Sequence, residues 1–452
     1  MGSPLENAII QAAQGQLSFR AARDLYDDIL AAHPNNIHSL HNMAVAMTDV
    51  GRPDEAERFA RLAVEQLPDS TLPLSVLIYA VYCQRRFQEA AELVLKARAM
   101  VNPSLLWQPL TDSQYKTSQE TIAEIYNLFT IREARASSET ALPDGVWKGW
   151  HELFSPAGSP TREMIETMRF HLTFTGRPLV CDLARIQGPL PGEIARIYGE
   201  LTKGLPSQYI LKPPAILGEI GWRIDDTLVN NNTLKDQDHI TYFHLNGCLE
   251  HLSGLGAPPR ILEIGAGYGG VVYGLHEILK PASIHIIDLP ETLGYSSLYL
   301  RLGRNLDRTQ APIYSGKPAK SLIPPPGGIC FVPNFLAQDL AGKTKFDFII
   351  NSGSFGEMSR PQVAEYVELI NDVLSEDGIV YDVNAPHIVD VFEKHFKGTI
   401  VHVGIARFWA KNRQVLEKLM SIAPACFKTT WGRSAELQSK QAWRFNLLTP
   451  PV

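Results

Sequence analysis
The sequence predicts an α/β fold, with a mostly parallel sheet flanked by helices in the C-terminal half, preceded by an all-α solenoid and a mixed intervening region. Three observations carry that prediction. A short apolar strand, Ile261 to Ile264, runs into a glycine-rich turn and then a helix over 271–279. A second apolar strand, Ser283 to Ile287, ends in Asp288, 23 residues beyond Gly265. The first hundred residues repeat with a period of 34.

In the N-terminal part, Ala22, Ala56 and Ala90 hold this spacing, and so do Leu25, Phe59 and Leu93, and Pro34, Pro68 and Asn102. Small residues where helices cross, and a proline ending each of the first two units, resemble tetratricopeptide repeats, helical hairpins that stack into a solenoid. Gly51 falls at the turn inside the second unit. The pattern departs from the repeat family at Met43-Ala44 and Leu77-Ile78, where Leu-Gly is preferred. Such a stack offers a concave surface to a protein partner, a second copy of the chain or an acceptor-bearing polypeptide, or serves as a packing scaffold. This part is assigned to 1–103, a cap to 104–256 and the sheet-bearing domain to 257–452. In the cap, 118–134 and 162–170 read as helical. Pro178, Pro189, Pro191, Pro206, Pro213 and Pro214 break up the remainder. Trp107, Trp147, Trp150 and Trp222 give it aromatic weight, suited to core packing or to the apolar faces of sugars.

The run Arg260-Ile261-Leu262-Glu263-Ile264-Gly265-Ala266-Gly267-Tyr268-Gly269-Gly270 points to a nucleotide-like ligand, since glycines let the backbone turn sharply and approach closely what a Cβ would exclude. Gly265, Gly267 and Gly270 satisfy the spacing of a dinucleotide site, so NAD is one candidate. Glu263 is a poor neighbour for a pyrophosphate but suits a ligand with a cationic amino group and a sulfonium, which favours S-adenosylmethionine. Asp288 sits where an acid accepts hydrogen bonds from ribose hydroxyls. Downstream, Lys345 to Ser352 is an apolar strand ending in polar residues. A helix from about Pro361 to Leu374 follows, then Glu376-Asp377-Gly378 and the strand Ile379 to Val383. Further on, 399–403 and 442–448 read as strands flanking a helix over 411–422. Ligands collect beyond the carboxyl ends of strands in open α/β sheets. Gly265 to Gly269, Asp288, Asn351 to Glu357 and Asp382 to His387 should therefore line one crevice.

Over roughly 210–390 the chain resembles the putative sugar O-methyltransferases among class I S-adenosylmethionine-dependent enzymes. The residues carrying this are the glycine run, Ile287-Asp288-Leu289-Pro290-Glu291, and Asn351-Ser352-Gly353-Ser354-Phe355-Gly356-Glu357-Met358. Asn230-Asn231-Asn232-Thr233-Leu234 ahead of a helix over 240–252 matches the family's lead-in. The resemblance implies a Rossmann-like, mostly parallel seven-stranded sheet with helices on both faces. It also implies methyl transfer to a hydroxyl, on a sugar or glycosylated acceptor.

Transfer from a sulfonium is an in-line displacement that needs a base for the hydroxyl proton but no covalent nucleophile. Glu357, His387 and His244 are the candidate catalytic residues, with Asp382 and His239 also at crevice edges. Histidine titrates near neutrality, which suits a base. For the donor, Glu263 and the turn Gly265, Ala266, Gly267, Tyr268 and Gly269 would hold the amino-acid end, and Asp288 the ribose. Leu289 and Pro290 would meet the adenine, and Asn334 or Asp339 its exocyclic amine. Asn351 and Ser352 complete the set. His239 and His244, five residues apart, turn toward different sides of a helix, and no carboxylate cluster stands out, so no metal is expected. The runner-up activities are methylation of a protein or carrier-bound acceptor docked by the repeats, and an NAD-dependent sugar-modifying oxidoreductase. The second is disfavoured by Glu263 and by the absence of a Tyr-x-x-x-Lys pair.

Composition bounds the partners. A chain of 452 residues with 45% hydrophobic and 20% charged residues suffices for two or three cores, and a net charge of −6 gives no reason to bind nucleic acid or a membrane surface. The five cysteines are far apart with no C-x-x-C, the start lacks a secretory pattern, and no stretch is apolar enough to span a bilayer. A cytoplasmic location is the expectation.

Overall fold
The computed structural model describes residues 19–49, 51–84, 86–100, 105–106, 108–135, 160–166, 168–171, 190–214, 216–317, 322–384, 386–403, 406–411 and 414. Five helices come first: α1 (Phe19–Ala32), α2 (Ile37–Asp49), α3 (Pro53–Gln66), α4 (Thr71–Cys83) and α5 (Phe87–Met100). Gly51, at φ +73°, makes the left-handed turn between α2 and α3, and Pro53 opens α3 with Asp54 and Glu55 in its first turn. Ala56 and Ala90, one repeat apart, are fully buried. They share a core with Tyr26, Met43, Phe59 and Leu77. Small side chains at the crossings let the helices approach.

The strands β1 (Leu105–Leu106) and β2 (Glu219–Ile220) pair antiparallel across the long helix α6 (Asp112–Arg135) and the short helices α7 (Arg162–Glu166), α8 (Met168–His171) and α9 (Leu190–Thr202). A hairpin of β3 (Trp222–Ile224) and β4 (Thr227–Val229) leads to α10 (Asn231–Leu245) and α11 (Cys248–Ser253). The helix expected over 240–252 therefore starts nine residues earlier and breaks at Gly247, φ +72°. Asn230 starts it: its side chain accepts from Thr233 N while the Thr233 hydroxyl accepts from Asn230 N, a closed capping box.

The main sheet holds β5 (Arg260–Ile264), β6 (Ser283–Asp288), β7 (Ile329–Pro333), β8 (Phe346–Ser352), β9 (Leu374–Val383), β10 (Thr399–Val403) and β11 (Ala406–Ala410), in the order β10-β11-β9-β8-β5-β6-β7. The pairs from β9 to β7 are parallel, while β11 runs antiparallel to both neighbours. Connecting helices are α12 (Gly270–Ile278), α13 (Pro290–Arg304), α14 (Arg360–Val373) and α15 (Pro386–His395). Alternate strand residues feed two cores, as a period of two requires. Ile261, Ile284, Ile286, Phe348 and Tyr381 join α10, α12 and α13 on one face. Leu262, Ile287, Ile349 and Val380 join α14 and α15 on the other. This makes the sheet Rossmann-like and doubly wound.

Glu376-Asp377-Gly378 follows the helix α14 and falls in the irregular stretch of β9 between the pairs Phe346–Leu374 and Phe348–Ile379, where the register with β8 shifts. A Cβ at Gly378 would come 2.8 Å from the Phe346 carbonyl oxygen. The strand β11 follows β10 directly, whereas the helix expected over 411–422 and the strand over 442–448 fall almost wholly outside the described residues. The first core also takes in Leu110, Ile125, Leu128 and Met168, so apolar packing does not part at residue 256. Arg132 of α6 forms a two-pronged ion pair with Glu291 on α13, at 2.8 and 3.0 Å, and the buried Arg301 reaches Thr121 and Glu124 of α6.

Candidate active site
The strand order reverses between β5 and β8, which opens a crevice beyond their carboxyl ends. Gly265, Gly267 and Gly269 have φ of +77°, +59° and +92°, conformations that other residues rarely adopt. A Cβ at Gly265 would collide with Ser354, and one at Gly269 would come 2.9 Å from Leu300. At Gly267 no atom of the described residues lies within 4 Å of that position. The turn is thus packed from behind at both ends and open at its middle. Asp288 ties β6 to it, accepting from Gly267 N at 3.2 Å and from Leu289 N at 2.8 Å. Burial, helped by Glu357 and Glu291, pushes its carboxyl up to about 7 against these two bonds. Part of the acceptor capacity expected for ribose is therefore spent on the main chain.

Glu263, the last residue but one of β5, is 3% exposed, and its Oε2 has no hydrogen-bond partner among the described residues. Burial and the neighbouring Asp236 push its carboxyl up to about 8, while Lys235 pulls it down. A buried carboxylate oxygen left unpaired is costly. A cationic ligand group would remove the cost, so a ligand with an ammonium fits this strand end beside the open glycine.

Helix α10 lies over the same strand ends. His239 Nε2 meets Ser352 Oγ at 2.9 Å and its Nδ1 meets Tyr381 Oη at 3.0 Å. Burial and the Lys235 charge hold the imidazole down to about 3, hence neutral. The Tyr268 hydroxyl donates to Asp236, and the Tyr268 ring carries the Arg169 guanidinium 3.5 Å from its centroid, with Tyr299 edge-on at 5.0 Å.

Of the expected residues, Glu263, Gly265 to Gly269, Asp288, Leu289, Ser352 and Glu357 gather at this crevice. Glu357 closes the turn Ser354–Glu357 past β8, and its charge acts on Asp288 and Lys235. Asn334 opens the turn Asn334–Leu340 past β7, whereas Asp339 accepts from Tyr314 Oη at 2.8 Å. Asn351 is engaged within the protein: its amide donates to Ile264 O at 2.8 Å and to Ser354, and accepts from Asn384 at 2.7 Å. His387 is the second residue of α15, and its side chain lies outside those described. His244 stands near the C-terminal end of α10, 2.5 Å from Glu250, with its ring tilted at 45° to Tyr209 and 4.7 Å from it. Lys235, Asp236, Arg169 and Tyr381 were not foreseen. The Asn230 to Thr233 capping signal could have placed Lys235 and His239 one turn apart on one helix. Among the described residues, no group of three or more His, Cys, Asp or Glu is arranged to hold a metal ion, and no helix is long and apolar enough to cross a membrane.

No protein-family model matches the chain, and no curated protein matches it. Solved structures do. An O-methyltransferase family protein from Burkholderia thailandensis aligns over 54% of this chain and 74% of its own at 10% identity, with a TM-score of 0.27. Magnesium protoporphyrin IX methyltransferase from Synechocystis PCC 6803, with SAM bound, aligns over 41% of this chain and 84% of its own at 15% identity and 0.26. PKMT2 from Rickettsia typhi aligns over 30% of this chain at 20% identity and 0.20, and the match spans 24% of that protein's length. At these scores and identities the likenesses carry no argument about activity.

Proposed function
We propose that the chain is an S-adenosylmethionine-dependent methyltransferase that acts on a hydroxyl, on a sugar or glycosylated acceptor. The observation that carries this reading is the unpartnered Glu263 oxygen beside the open Gly267 at the strand-order reversal. A pyrophosphate there would face three carboxyl groups, Glu263, Asp236 and Asp288, which argues against a dinucleotide. The antiparallel β11 between β9 and β10 also differs from the parallel sixth strand of the dinucleotide order.

When bound, the donor would supply an electrophilic methyl group on its sulfonium. Glu263 would hold its ammonium, Gly267 would leave room for the close approach, and Asp288 would keep lone pairs for the ribose. On the acceptor side, Glu357 would take the hydroxyl proton, with His387 as the alternative base. Neutral His239, clasped by Ser352 and Tyr381, would orient that wall without carrying charge. A carboxyl-rich crevice suits an uncharged acceptor better than an anionic one. The alternative acceptor, a protein or carrier-bound group docked on α1 to α5, gains support from Trp222, which packs against both the helical core and the cap. Titration calorimetry with S-adenosylhomocysteine against NAD tests the donor. Binding of NAD alone would replace this reading with the oxidoreductase.

A further inference from the structure
Lys235 and His239 are one turn apart on α10 and share the face above the strand ends. His239 fixes that face to Ser352, which closes β8, the parallel neighbour of the strand carrying Glu263. Asp236, the residue after Lys235, is fixed on the other side by the Tyr268 hydroxyl of the glycine turn, and a Cβ at Gly270 would collide with it. The turn of α10 that carries Lys235 is thereby anchored at the glycine turn through Asp236 and at the end of β8 through His239. Burial lowers the proton affinity of its ammonium, and Asp236, Glu263 and Glu357 act in the opposite sense.

An α-amino acid carries its ammonium and carboxylate on one carbon. Glu263 alone would attract the first and repel the second, so a site selective for the intact zwitterion needs a cation next to the carboxylate. We propose that Lys235 and Glu263 form a two-charge site for the amino-acid end of a sulfonium nucleoside, Glu263 taking the ammonium and Lys235 the carboxylate. This rests on the donor reading above and extends it to a residue outside the glycine turn. It makes Lys235 a specificity residue: a nucleoside that keeps the amine but has lost the carboxylate binds poorly.

The test is titration calorimetry of the full chain with S-adenosylhomocysteine and with its decarboxylated analogue. The unaltered protein should prefer the intact ligand by about 10- to 100-fold, the range for a hydrogen bond between charged groups. Lys235→Met should bring the ratio close to one, Lys235→Arg should keep most of it, and Glu263→Gln should weaken both ligands alike. An unchanged ratio in Lys235→Met overturns the inference and leaves the donor reading standing. Equal loss of both ligands in that variant also overturns it, since the lysine would then serve the fold or the nucleoside. Binding of neither ligand by the unaltered protein removes the donor reading and the inference together.

Discussion
Two buried glutamates, Glu219 on β2 and Glu263 on β5, meet opposite fates. Glu219 is fully buried and fully served: Arg169 grips it at 2.8 and 3.2 Å, and the Asn230 amide donates at 2.6 Å. Because Asn230 also caps α10 and Arg169 lies on Tyr268, this carboxylate knots the cap, the helix and the glycine turn together. Glu263 is nearly as buried, yet one of its oxygens has no hydrogen-bond partner among the described residues. A carboxylate with both oxygens engaged belongs to the fold. One held ready at a strand end, beside a glycine with space around it, is suited to a ligand.

Breaking each in turn should separate the two roles. Glu219→Gln leaves the Arg169 charge buried without its counter-ion, so unfolding stability in urea should fall by about 3 to 5 kcal/mol. Glu263→Gln should raise the dissociation constant of S-adenosylhomocysteine about 10- to 100-fold in calorimetry without that loss of stability. At pH 8 the same variant should unfold at higher urea than the unaltered protein. The reason is linkage: the Glu263 carboxyl titrates near 8 when folded, against 4.5 ordinarily, so stability is lost as pH rises across that window and glutamine abolishes the loss. Donor affinity should move the other way. An ammonium ligand needs the ionised carboxylate, so affinity should climb by up to about tenfold per pH unit from 6 toward 8, with proton release, and Glu263→Gln should flatten the profile. The smallest effect is expected at His244, which pairs with Glu250 at a half-exposed position. His244→Ala should change stability by about 0.5 kcal/mol and leave donor affinity alone; a tenfold loss of affinity would return it to the site.

Legibility followed the range of the interactions. The glycine turn, Asp288 and the alternation of β5 to β9 are short-range patterns, and each strand core was readable from a handful of consecutive residues. Helix α10 was misplaced by nine residues because polar Asn231 to Asp238 show no apolar stripe, and its cap is a signal of two side chains. The knot of Arg169, Glu219 and Tyr268 joins segments 50 and roughly 100 positions apart, which no local pattern announces. The bonds of Asn351 to Ile264, Ser354 and Asn384 were not legible either, because those partners come from other turns and strands.

By itself the sequence determined where the chain must bend with bare backbone, which residues alternate between two apolar faces, and that a carboxylate stands at the end of β5. Backbone conformation and hydrophobic periodicity are properties of neighbours in the chain. Only the tertiary structure decided which buried charges are satisfied, that the Lys235 charge acts on the Glu263 carboxyl, and that His239 meets Ser352 at the end of β8 while His244 pairs with Glu250. Electrostatic satisfaction depends on what other segments bring within a few ångströms.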